Sequence, residues 1–98
     1  MDAEVQKAVT GLDEARDRLR EEVTAPLRAA RSRFPEADEH HLLGSLAALV
    51  ESLQELAAVA VERRSTHSTS WPAESARVHL DDAAALLREA EQRAKRNA

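Results

Sequence analysis

Residues 42–61 read Leu42-Leu43-Gly44-Ser45-Leu46-Ala47-Ala48-Leu49-Val50-Glu51-Ser52-Leu53-Gln54-Glu55-Leu56-Ala57-Ala58-Val59-Ala60-Val61. Within them Leu42, Leu46, Leu49, Leu53, Leu56 and Ala60 step by four, three, four, three and four. That spacing returns a side chain to one side of an α-helix, whereas a half-buried strand needs alternation by two. Leu43, Val50 and Ala57 recur every seven residues beside this line and widen it to the apolar face of a bundle helix. Asp38 is a suitable N-cap, and Arg63 and Arg64 suit the negative end of the helix dipole. The expected element is a helix over residues 38–64 with its leucine line turned to a core.

Outward from this helix the period continues in both directions. On the C-terminal side Ala76, Leu80, Ala83, Leu87, Ala90 and Ala94 repeat it with smaller side chains. Ser70 is placed to cap that helix and Pro72 falls in its first turn, where a missing N–H costs nothing. On the N-terminal side the line runs Val5, Val9, Leu12, Ala15, Leu19, Val23, Leu27, Ala30 and Phe34, straight through Pro26. A proline inside a helix removes a hydrogen bond and crowds the preceding turn, so a kink or break is expected near Pro26. Pro35 then ends the segment by disfavouring helical geometry at Phe34.

The connections are brief: residues 34–37, and the polar run Ser65–Thr69. Brief connections make consecutive helices antiparallel neighbours. The expected fold is therefore all-α, one domain over residues 1–98, an antiparallel up-down-up bundle of three long helices. Ser65–Ser70 reads as a linker that can equally serve as a modified or docking loop. Trp71 reads as a plug over the rim of the bundle.

Composition supports the class. Among 98 residues there are 20 alanines and 12 leucines, with no isoleucine, tyrosine or cysteine and only two aromatic residues. Strands favour β-branched and aromatic side chains, so a sheet is not expected. Disulfides, thiolate metal sites and cysteine nucleophiles are excluded outright. No stretch approaches the roughly 20 uncharged apolar residues of a membrane span, and Met1-Asp2-Ala3-Glu4 does not read as a leader. The expectation is a cytoplasmic protein that does not engage a membrane.

Charge narrows the partners. The net charge is −4, and all of the acidic excess lies in residues 35–70, which hold six acids and two Arg. A duplex-binding surface needs a basic face, and Arg16, Arg20, Arg28 and Arg31 are interleaved with Asp13, Asp17, Glu21 and Glu22. Nucleic acid is not an expected partner. Protein is: Leu, Val and Phe together number 20, a thin supply for a core that must offset about 1.5 kcal/mol of entropy per ordered residue. Residues 56–61 are apolar nearly all round, and Val78 and Leu86 fall beside the seam of the last helix. Val59, Val61, Val78 and Leu86 are thus the expected partner-binding residues, for a homodimer or a helical hetero-partner.

Nothing in the chain resembles a nucleophile–base–orienter set or a phosphate-cradling glycine loop, so an enzyme is not expected, nor a cofactor. The histidines His40, His41, His67 and His79 are too far apart along an antiparallel bundle to share a metal. His40-His41-Leu42-Leu43-Gly44-Ser45 resembles the His-x-Leu-Lys-Gly-Ser stretch of histidine phosphotransfer domains, with Leu43 where those carry lysine. The resemblance implies a relay in which His40 accepts a phosphoryl group and Gly44 clears space for the incoming protein. In length and helicity the chain also looks like the helical-hairpin substrates of type VII secretion, whose Trp-x-Gly turn is replaced here by Trp71-Pro72-Ala73.

Overall fold

The computed structural model describes residues 1–63 and 70–97. It is helical, with no strand among the described residues: α1 spans Ala3–Leu19, a π-helical turn spans Arg20–Thr24, α2 spans Ala25–Ala30, α3 spans Glu36–Glu62 and α4 spans Ser70–Asn97. The chain divides into two units, Met1–Arg33 and Phe34–Ala98.

In the first unit, α1, the π turn and α2 follow one another without a gap. Asp2 starts the run: its Oδ1 accepts from the amides of Glu4 at 2.9 Å and Val5 at 3.2 Å, satisfying two donors that the first turn leaves open. Ahead of Pro26 the run continues through a π-helical turn at Arg20–Thr24. Pro26 has no amide to donate, and its ring crowds the carbonyl one turn back. The Ala25 amide instead reaches Arg20 O, five residues back, and the widened turn makes room. The run ends at Ala30, four residues short of Phe34, because Arg31 takes a left-handed conformation at φ 57°. Val5, Val9, Leu12, Leu19, Val23 and Leu27 are 39–52% exposed, and no residue of this unit is buried.

In the second unit α3 packs on α4. The helix begins two residues before the expected Asp38 cap. Pro35 holds the N-cap position at φ −55° and ψ 141°, and its carbonyl accepts from Asp38 and Glu39 at 2.9 and 3.1 Å. Asp38 therefore lies inside the first turn, where with Glu36 and Glu39 it complements the helix dipole. At the other end Arg63 caps α3 through its amide to Val59 O, and Arg64 lies outside the described residues. α4 starts at Ser70 with Pro72 in its first turn. Trp71 is 78% exposed, so it covers no rim.

Partners along the two helices run in opposite senses, Glu51 with Arg88 and Gly44 opposite Glu91. The interior between them is made of small side chains. Ala47, Val61, Ala84 and Ala94 are the buried apolar residues. The leucine line expected to face the core does not face α4: Leu46, Leu49, Leu53 and Leu56 are 39–43% exposed. The helix turns a different line to its neighbour because small residues let two backbones approach, whereas leucines at those positions would hold them apart.

Candidate helical docking face

Helix α3 carries two lines of the same period. The line toward α4 is Gly44, Ala47, Glu51, Gln54, Ala58 and Val61, all buried or half-buried, stepping by three, four, three, four and three. The second line is the leucine stripe, which at about 100° per residue lies roughly 150° round the helix from the first. Leu43, Val50 and Ala57 bridge the two and are half-buried. Along the outer edge of the stripe run Ser45, Ser52 and Val59, all exposed. The result is an apolar strip bordered by uncharged residues on both sides.

The line toward α4 is secured on the side away from the leucines. Arg88 reaches across to Glu51 with two hydrogen bonds, Nη2 to Oε1 at 2.6 Å and Nε to Oε2 at 3.1 Å. Its remaining nitrogen donates to Glu91 Oε1 at 3.1 Å, so one guanidinium holds two carboxylates. The hydrogen bond from Arg88 holds the Glu51 carboxyl below the usual carboxylate range, against the opposing effect of partial desolvation. Arg88 is in turn pushed above its ordinary value by Glu51 and then Glu91. Glu91 lies over Gly44, where a Cβ would meet its Oε2.

The residues expected to bind a partner are scattered. Val61 is 5% exposed and belongs to the contact with α4. Val59 is 46% exposed on the outer edge of the leucine stripe. Leu86 is 65% exposed on a flank of α4. Val78 is 54% exposed. The contiguous line of exposed large apolar side chains on α3 is the leucine stripe, which the sequence pattern turns toward a core.

His40 and His41 have their ring centroids 4.0 Å apart at a tilt of 37°, and His40 Nδ1 is buried without a hydrogen-bond partner. The space above Gly44, which in the relay reading stays clear for an incoming protein, holds the Glu91 carboxylate. Among the described residues no three His, Asp or Glu side chains group as metal ligands, and His67 lies outside those residues.

By length and composition α3 is apolar enough to cross a membrane, with a mean hydropathy of 1.4 over its best window. Crossing would carry Glu51 and Glu55 into hydrocarbon, at about 2.5–3.5 kcal/mol for an acid near the centre of a span. It would also separate Glu51 from Arg88. Comparison with family models finds no match to the chain, and comparisons with curated proteins and with solved structures find none either.

Proposed function

We propose that this chain is a non-enzymatic, cytoplasmic helical interaction module that docks an apolar helix along the leucine stripe of α3. The observation that carries the reading is the exposure of Leu46, Leu49, Leu53 and Leu56, four in-register leucines on one helix face with no charged residue at either border. Scattered exposed leucines are ordinary on a protein surface, but a continuous strip across about two heptads is the form in which one helix receives another. Covering it removes from water the apolar area that the small-residue interior between α3 and α4 does not supply.

A second cover is available within the chain, favoured by the matching stripe Val5, Val9, Leu12, Leu19, Val23 and Leu27 on the first helical run. With that cover the chain becomes an up-down-up bundle of three helices. A photoreactive residue at position 53 in living cells tests the proposal, with position 55, on another side of α3, as control. Capture of a helical protein from position 53 and not from position 55 supports docking. Cross-links confined to residues 3–30 of the same chain support the bundle and overturn docking.

A further inference from the structure

The leucine stripe reads the same in both directions along α3. Leu49 and Leu53, Leu46 and Leu56, and Leu42 and Ala60 are each equidistant from residue 51. One heptad step further, the same line reaches Glu39 at its N-terminal end and Arg63 at its C-terminal end, again equidistant from residue 51. Both are exposed, and neither makes an ion pair among the described residues. From these placements we infer that the helix received by the stripe is α3 of a second copy of this chain. The two helices lie antiparallel about a two-fold axis at the level of Glu51, with Leu49 against the partner's Leu53 and Glu39 beside the partner's Arg63. The inference rests on the docking reading and names its occupant.

Charge decides both the partner and the direction. α3 holds six acids, Glu36, Asp38, Glu39, Glu51, Glu55 and Glu62, and no Lys or Arg. Such a helix can meet its own copy only where the acids lie off the contact. The bordering positions meet that condition: Leu43, Val50 and Ala57 on one side, Ser45, Ser52 and Val59 on the other. Edge charges are what ordinarily select a different helix as partner; between residues 42 and 60 this edge has none, and one heptad step further it reaches Glu36 and Asp38, which in the antiparallel pair lie at the ends of the contact and not against each other. A parallel pair would set Glu39 against its own copy and Arg63 against its own copy, whereas the antiparallel pair makes two attractive contacts, one at each end.

Area sets the strength. From Glu39 to Arg63 the line is about 36 Å long at 1.5 Å per residue, and a helix is about 10 Å wide. The contact is therefore on the order of 360 Å² in projection, below the roughly 800 Å² per partner of a standard interface. A reversible dimer with a dissociation constant in the micromolar range is expected.

The test uses the full chain, which has no cysteine of its own. In the antiparallel pair, residue 52 and the partner's residue 52 are offset by about 3 Å along the helices, and the two residues 59 by about 24 Å. Under mild oxidation Ser52→Cys should give a covalent dimer and Val59→Cys should not, while a chain that sediments as a dimer but gives no link at position 52 overturns the antiparallel pair. Sedimentation of the unsubstituted chain should show its mass rising from 10.8 kDa toward twice that value over the micromolar range. Glu39→Arg alone should weaken the dimer, and adding Arg63→Glu in the same chain should restore it. A chain that remains monomeric at millimolar concentration while position 53 still captures another helical protein overturns the second copy and leaves the docking reading standing. A monomer with no capture from position 53 overturns both.

Discussion

The carboxylate of Glu91 on α4 occupies the place where a Cβ on residue 44 of α3 would stand. Gly44 thus sits beneath an acid that Arg88 holds at 3.1 Å, and Arg88 holds Glu51 as well. Glycine, acid, arginine and acid form one chain of dependence between the two helices. Gly44→Ala tests it. Alanine is about 1 kcal/mol more favourable than glycine in a helix interior. The atom in its way is the far end of a flexible side chain, and the leg that swings aside belongs to a partly exposed pair of small worth. The expected outcome is a gain of about 0.5 kcal/mol in thermal or denaturant unfolding. If residue 44 is instead a position kept clear for an incoming protein, the substitution leaves stability raised but abolishes that binding. Gly11→Ala on α1, with nothing within 4 Å of the added carbon, is the control for propensity alone.

The Glu51–Arg88 pair gives a pH and salt signature. The Glu51 carboxyl titrates lower in the folded chain than in the unfolded one, so the unfolded state binds its proton first as pH falls. The stabilisation is complete above the ordinary carboxylate range and is lost as pH drops through the lowered folded value. Glu51→Gln should therefore melt below the unsubstituted chain at pH 7, with the difference closing in acid below about pH 4. Because both side chains are about two-fifths exposed, the same difference should shrink in molar salt. Thermal melts at three pH values and two ionic strengths check both statements.

The helical class was legible from the 3.5-residue period and the near absence of strand formers. What could not be read was which of two periodic lines on α3 meets α4. Hydrophobicity picks out Leu42–Ala60, but contact is made by Gly44, Ala47, Glu51, Gln54, Ala58 and Val61, a line with the same period and little apolar area. A helix pair of this kind is selected by how closely backbones can approach, and smallness carries no signal on a scale of hydrophobicity. The same confusion placed Val61 on the surface. Asp2 was a readable cap that the apolar pattern drew attention away from. The π turn was half legible: Pro26 announced a disturbance, while its form depended on which carbonyl the Ala25 amide could reach.

Arg31 ends α2 in a left-handed conformation that costs a residue with a Cβ on the order of 1 kcal/mol. Glycine adopts it freely and is the usual residue at that place after a helix. Arg31→Gly should slow amide exchange over residues 28–30 by a factor of about 2–5, equivalent to roughly 0.5–1 kcal/mol at the helix end. Faster exchange there would mean that the arginine side chain itself supports the terminus.

The leucine stripe and the outer face of α4 make opposite predictions for the same chemical change. Leu53 is 39% exposed and lies at the middle of the proposed contact; Leu86 is 65% exposed and lies on a flank of α4, outside the stripe. A glutamate at position 53 would meet apolar side chains in the docked state, so Leu53→Glu must lose both the burial of a leucine and the hydration of a charge. Loss of about 1.4 kcal/mol already means a tenfold weaker complex. Leu53→Glu should therefore weaken association tenfold or more in sedimentation, with helix content by circular dichroism unchanged because Leu53 does not pack between α3 and α4. Leu86→Glu should leave both readouts where they were, within the roughly 0.5 kcal/mol typical of surface substitutions. Should Leu86→Glu dissociate the complex and Leu53→Glu not, the docking face lies on α4 instead.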